Sequence, residues 1–259
     1  MFKASKTKTS HIGLALGAAA LSTSLISGHA AAAAVDLSTW TEDGTGSWNV
    51  SGTGDTVLQT VNTSQPAIFY EAGSNAQGTS LSGSISVNTG TDDDFIGFVL
   101  GYQSGESTSA TADFWLIDWK QGTQNGGGGT AFAGLALSHV TDGSNGANYW
   151  PHFGGVSEVQ RAANLGSTGW ADNSSYDFDL IFTSTLIEVY VDDVLELSYT
   201  AIDNGAAFTD GAFGFYNYSQ QSVEYAAITE DVVAVATPSS FALILASIGG
   251  LLYRRKTAK

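Results

Sequence analysis

Asp92-Asp93-Asp94-Phe95-Ile96-Gly97-Phe98-Val99-Leu100-Gly101-Tyr102-Gln103 decides the fold of this chain. After three carboxylates comes the run Phe95–Tyr102, in which Ile96, Phe98, Leu100 and Tyr102 share one side and Phe95, Gly97, Val99 and Gly101 the other. Side chains alternate along a strand with a period of two, so the run predicts a strand whose bulky side fills a core. Its glycine side leaves room for another chain segment or a ligand to approach closely. A second run, Phe114–Lys120, repeats the pattern: Trp115, Ile117 and Trp119 lie opposite Phe114, Leu116, Asp118 and Lys120.

Working outward, the same alternation or β-branched and aromatic enrichment recurs at Val57–Val61, Ile68–Tyr70, Leu81–Val87, Leu135–Val140, Phe178–Phe182, Leu186–Val191, Val194–Tyr199, Phe213–Tyr216 and Val223–Ala227. Gly, Asn, Asp and Ser fill the gaps, and Asp192-Asp193 reads as the two-residue turn of a hairpin. Many short strands without crossover helices predict an all-β domain of two antiparallel sheets packed face to face. The chain has no cysteine, so burial alone must hold this domain together.

Charge divides the chain into three. Lys3, Lys6, Lys8 and Arg254, Arg255, Lys256, Lys259 lie at the two ends, and Lys120 and Arg161 are the sole basic residues among 25 carboxylates in between. Residues 1–34 carry a basic start, an apolar stretch Ile12–Ile26 and a small-residue tract ending at Ala32–Ala34, the three parts of a secretory signal peptide. Residues 35–231 form the domain. Residues 232–259 hold Pro238, an apolar segment Phe241–Tyr253 and a basic end, which reads as a short transmembrane tail with Arg254 and Arg255 on the cytoplasmic side. Phosphate backbones would be repelled by so acidic a domain, which excludes nucleic acid.

Two resemblances sharpen this reading. The Asp92–Gln103 stretch, followed in order by Trp119-Lys120-Gln121, Gly134-Leu135, Trp150, Gly169-Trp170 with Tyr176, and Gly211–Gln220, resembles the thrombospondin C-terminal domain. Trp40, Trp48 and Asn49 resemble the start of its bacterial relatives. The resemblance implies a concanavalin-like jelly roll, similar to L-type lectins, that binds calcium and serves in adhesion and matrix contacts rather than catalysis. The chain lacks the cysteines of the animal proteins and their calcium-binding type 3 repeats, so animal receptor partners are not implied. The tail resembles the PEP-CTERM sorting signal of Gram-negative bacteria, with Ala236 and Thr237 departing from the usual motif and Pro238 retained. That family implies recognition by an exosortase, transient anchoring in the inner membrane and delivery to the envelope surface or extracellular matrix.

Candidate chemistry follows from residue types. With only His139 and His152 in the domain and no cysteine, zinc and copper sites are excluded in practice. Calcium takes six to eight oxygens, and Asp92, Asp93 and Asp94 are the sharpest candidate ligands; the alternative is a solvated acidic turn that blunts a strand end. Asp142/Asn145/Asn148, Asp172/Asn173/Asp177 and Asp203/Asn204/Asp210 read as polar loops. A glycosidase would need two carboxylates on one face. The hairpin register sends Glu188 and Glu196 to opposite faces, and Asp177 with Asp179 reads as outward alternation. The domain is therefore expected not to be an enzyme, with a secreted glycan hydrolase or lyase on the same fold as the alternative. Gly126–Gly129 reads as a flexible loop, lacking the Lys and helix start of a phosphate site. Tyr149 and Trp150, in a Gly-rich loop, are candidate sugar-stacking residues; the competing role for Trp150 is to plug the edge of the sandwich. The expected partners are an extracellular polysaccharide or matrix component.

Overall fold

In the computed structural model, residues 32–126 and 128–233 are described. The signal segment through residue 31 and the tail from residue 234, with Pro238, Arg254 and Arg255, lie outside the described residues. Seventeen strands follow in chain order: β1 (Ala33–Ala34), β2 (Thr41–Gly44), β3 (Trp48–Val50), β4 (Thr56–Gln59), β5 (Ala67–Tyr70), β6 (Thr79–Val87), β7 (Phe95–Tyr102), β8 (Phe114–Lys120), β9 (Gln124–Gly126), β10 (Gly129–Ala131), β11 (Gly134–Val140), β12 (Val156–Arg161), β13 (Ser175–Phe182), β14 (Leu186–Val191), β15 (Val194–Thr200), β16 (Ala212–Tyr218) and β17 (Val223–Val232). All eleven strands expected from the sequence are present, three of them with the expected bounds. Gly126 and Gly129, at the ends of the run read as a flexible loop, pair with each other across β9 and β10.

An eight-stranded sheet runs β15-β14-β13-β6-β17-β4-β3, with β1 added beside β17, and a seven-stranded sheet runs β12-β11-β8-β7-β16-β5-β2. Every pairing is antiparallel. Between the sheets lies the main core, to which β7 contributes Ile96, Phe98 and Leu100, β8 contributes Trp115, Ile117 and Trp119, and β13 contributes Phe178, Leu180 and Phe182. The alternation read from the sequence therefore points the expected side chains inward.

The other face of the seven-stranded sheet is where structure and expectation part. Phe95, Val99, Phe114, Leu116 and Tyr216 form a second buried cluster there, closed over by Ala112, Ala131, Tyr149 and Val156. Asp118 and Lys120, expected on the polar side of β8, are 1% and 0% exposed. Tyr102 joins this outer cluster rather than the main core. Gly101 adopts φ +71° where the pairing of β7 with β16 slips, which reverses the side chain that follows. Tyr102 then packs edge-on against Tyr70 and Phe114 and donates to Asp43 Oδ2 at 2.7 Å.

The hairpin turns at Asp192-Asp193 with both residues at positive φ, as a two-residue turn requires. A register slip between Val189 and Tyr190 leaves Glu196 unpaired and places Glu188 opposite Ser198. The two glutamates still occupy opposite faces. Buried Glu196 accepts from the amides of Asn164 and Leu165, whereas Glu188 accepts from Tyr190 and Ser198 on the outer face.

Close layering is demanding at Gly97, where a Cβ would sit 2.0 Å from the carbonyl oxygen of Ile117. Gly97→Ala is expected to destabilise the domain by about 1–3 kcal/mol. Gly52→Ala, where no atom lies within 4 Å of the added carbon, should change stability by no more than about 0.5 kcal/mol. Chemical denaturation of both variants checks the pair.

Candidate functional site

The carboxylates of Asp92, Asp93 and Asp94 converge just ahead of β7, with ligand-type oxygens all within 4.8 Å of one another. The strand starts at Phe95, so no alternation forces Asp93 to the opposite side. Several groups pin this entrance. Gln220 Oε1 accepts from the Asp94 amide at 2.9 Å, and the Trp170 indole donates to the Asp94 carbonyl at 3.0 Å. Asn62 Nδ2 donates to Asp92 Oδ2.

Into the same cluster reaches Lys120, from the end of β8. Its ammonium, fully buried, donates to Asp94 Oδ1 at 2.6 Å, to the Asp93 carbonyl at 3.0 Å and to Gln124 Oε1 at 2.9 Å, and lies 3.8 Å from Asp93 Oδ1. The same nitrogen faces the rings of Trp150 at 4.8 Å and Phe95 at 5.4 Å, a cation–π geometry. One ammonium among three carboxylates leaves an excess of two negative charges. Burial, and then the neighbouring charge of Asp94, push the Asp92 carboxyl up to about 6. The donor set is all oxygen on its open side, and the excess charge is that of a divalent cation. Asp94 is engaged by Lys120, whereas Asp92 Oδ1 and Asp93 Oδ2 have no side-chain donor and are the oxygens that could hold one.

Beside the carboxylates opens a cleft of about 480 Å³, lined by Ser64, Gln124, Asn125, Gly126, Trp150, Tyr218 and Ser219. Tyr218, Phe95 and Lys120 form one transverse row across β16, β7 and β8. Two bridges join cleft and cluster: Gln124 Nε2 donates to Asp93 Oδ1 at 2.6 Å, and the Ser219 hydroxyl donates at 3.3 Å to Asn62, which holds Asp92. Trp150 both covers Phe95 edge-on and lines the cleft, and its indole Nε1 has no partner among the described residues. Tyr149 cannot touch a ligand here. It is 0% exposed, packs in the outer cluster and donates to the carbonyl of Ser107 at 3.2 Å.

The loop that carries Trp150 is fastened by a second buried ion pair. His152, held at φ +49°, places Nε2 2.7 Å from Asp118 Oδ2 and Nδ1 3.4 Å from Glu158 Oε2. Burial pulls the imidazole down, but the Asp118 charge and the hydrogen bonds outweigh it and raise His152 to about 9. Burial raises Glu158, and its bonds to His152 and Arg161 overcome this and hold it at about 2. In the other oxygen clusters, Asp203 and Thr200 form a capping box, Asp142 accepts from Ser144, Asp172 accepts from the Gln121 amide and Asp210 from the Gln77 backbone N–H.

The architecture is a jelly-roll β-sandwich of two antiparallel sheets, the fold of lectin-like domains. It is similar in fold to the carbohydrate-binding module CBM66 from Bacillus subtilis (TM-score 0.52, 11% identity, 74% of this chain and 95% of that one). The exoplasmic/lumenal domain of VIP36, in its Ca2+/Man2-bound form, is similar as well (TM-score 0.50, 10% identity, 78% and 84%). Residues 43–144 match the family model of the thrombospondin C-terminal region. Thrombospondin-4 of Bos taurus is 29% identical over 193 residues, covering 68% of this chain, and thrombospondin-2 of Gallus gallus is 29% identical over 197 residues, covering 69%. The matched part spans 19% and 16% of those relatives. Among the described residues, no helix is long and apolar enough to cross a membrane.

Two outcomes are expected. Because the folded His152 value of about 9 lies above its ordinary 6.5, its contribution is complete below about pH 6.5 and is lost as the pH rises through about 9. Denaturation across that window should show a loss of about 3 kcal/mol that is absent in His152→Gln. Lys120→Met strands Asp94 as an unpaired buried carboxylate and should cost about 3–5 kcal/mol, with Lys120→Met/Asp94→Leu recovering most of it.

Proposed function

We propose that this is an exported, calcium-binding, lectin-like surface or extracellular-matrix protein that holds polysaccharide in the Trp150 cleft. The observation that carries the reading is the junction of an uncharged cleft with an acidic cluster through Gln124 and Asn62. The half-buried ring of Trp150 lines the cleft and offers a face for a sugar ring. The amides of Gln124 and Asn125 and the Ser64 and Ser219 hydroxyls offer the directional bonds that hydroxyl groups need. Two relatives in fold, titled a carbohydrate-binding module and a Ca2+/Man2-bound domain, support the same assignment.

Calcium at Asp92 and Asp93 would relieve the carboxylate repulsion that raises Asp92, and so stiffen the wall that Gln124 and Asn62 share with the cleft. The terminal segments support export by the signal peptide and sorting by an exosortase through Pro238 and the Arg254-Arg255 end, with the membrane engaged through that tail alone. Adhesion, rather than turnover of the glycan, is the role this assigns.

The test is a thermal melt of the protein with millimolar calcium and with chelator, run beside a glycan array under the same conditions. Calcium should raise the melting temperature, and the rise should vanish in Asp93→Asn and fade as the pH falls through about 6, where Asp92 becomes protonated. Trp150→Ala should lose array binding while keeping the calcium shift. An unmoved melting temperature removes the metal assignment, and a blank array in calcium removes the glycan assignment.

A further inference from the structure

A groove of about 620 Å³ crosses the outer face of the eight-stranded sheet, lined by Ser82, Ser84, Asp177, Asp179, Tyr190 and Thr229 among others. These residues alternate with side chains of the main core, such as Leu81, Phe178, Val189 and Ile228, so they point away from the seven-stranded sheet and its cleft. Register places Leu195, Tyr190, Asp179, Ser82 and Thr229 in one transverse row across β15, β14, β13, β6 and β17. At the spacing of neighbouring strands this row is roughly 19 Å long. Beside it lies a second row, Asp177, Ser84 and Ala226.

The groove is a built feature of the sheet. Opposite β6, β17 carries one extra residue between Ala226 and Thr229, and Ala227 stands at φ +54° on the groove's edge. A bulge of this kind bends the strand and increases its twist. The chemistry of the lining is one-sided. Asp179 accepts from Ser82 Oγ at 2.9 Å through one oxygen, and the carboxylates of Asp177 and Asp193 accept from no group among the described residues. The two basic residues of the domain are engaged on the other sheet, Lys120 with Asp94 and Arg161 with Glu158. Asp177 and Asp193 are exposed, so their carboxylates are hydrated in the free protein and open to the hydroxyl donors of a ligand. The carboxylates are spread along a row and do not gather around a point, as Asp92–Asp94 do, which suits a chain of hydroxyl groups better than a bare cation. Tyr190 adds an aromatic ring at one end of the row.

We propose that this face is a second saccharide-binding surface, for a neutral, hydroxyl-rich glycan chain. Acidic glycans are repelled by Asp177, Asp179 and Asp193, with no cation on that face to offset them. Lying on the sheet opposite the Trp150 cleft, the groove lets a single domain bridge two glycan chains. The Trp150 assignment is not needed for this surface to exist, and calcium plays no part in it.

Affinity electrophoresis of the full chain through gels containing mixed-linkage β-glucan, galactomannan or dextran, each with chelator present, reads the surface in isolation. Retardation in at least one neutral gel is expected, together with none in a polygalacturonate gel. Tyr190→Ala and Asp177→Asn should each weaken it by at least about tenfold, a contact worth ~1.4 kcal/mol, and Gly52→Ala, outside both clefts, should leave it unchanged. Both substituted side chains lie at the surface, and unaltered circular dichroism confirms that the variants fold. Three results overturn the proposal: no retardation in any neutral gel, Tyr190→Ala and Asp177→Asn migrating as the parent does, or capture of polylysine that abolishes retardation and disappears in high salt. Loss of calcium-dependent array binding in Trp150→Ala bears on the cleft alone, so the two surfaces fail separately.

Discussion

The buried ammonium of Lys120 is the interaction around which one end of the domain is arranged. Removing an ammonium from water costs several kcal/mol, and the cost is offset only where the charge is paired and its remaining donors are satisfied. Asp94, the Asp93 carbonyl and Gln124 supply that environment with three donor contacts between 2.6 and 3.0 Å, and the rings of Trp150 and Phe95 supply the rest. Each partner comes from a different part of the chain: the entrance to β7, the β9–β10 hairpin and the loop after β11. Satisfying one charge therefore fixes the relative positions of the acidic cluster, the cleft wall and the aromatic platform.

A second layer makes this possible. An antiparallel sheet commonly leaves one face to solvent, and the eight-stranded sheet does so with its serines and aspartates. The seven-stranded sheet instead buries both faces, which turns Phe95, Val99, Phe114 and Tyr216 into core residues and brings Asp118 and Lys120 inside with them. Two buried charges need two buried partners: Asp94, at the entrance to β7, and His152, in the covering loop. The cover is thus tied to the sheet by the His152–Asp118 ion pair and by apolar contact.

This explains what could be read in advance. Strand identity was legible because Ile96, Phe98 and Leu100, or Trp115, Ile117 and Trp119, repeat with a period of two whatever lies beyond them. Alternation does not reveal whether the opposite face meets water or protein, so Asp118 and Lys120 read as exposed. The edge strands β2 and β12, with sequences TEDG and VSEVQR, carry too little apolar alternation to be seen. Within the site, Asp92–Asp94 and Trp150 were legible as local features. Gln124, Asn125, Ser64, Tyr218 and Ser219 were not, because only long-range pairing of β16, β7 and β8 brings them together. One signal was available: a lone internal lysine in so acidic a domain, seated at the end of an apolar strand, is a group that must find a carboxylate.

Acidity and cleft chemistry bear on each other. With Lys120 and Arg161 both paired to carboxylates, no cation on the described surface is free to receive a sulfate, a phosphate or a uronic acid. An anionic chain approaching such a surface meets repulsion that weakens as salt screens it. A neutral chain feels little of that field, and contacts made by stacking and by hydrogen bonds to hydroxyls change little with ionic strength. The charge that keeps the domain soluble and separate also acts as a filter, because it raises the cost of acidic partners without touching neutral ones. Selectivity of this kind needs no dedicated residue in the cleft, which is why the lining there can be wholly uncharged while the domain around it is not.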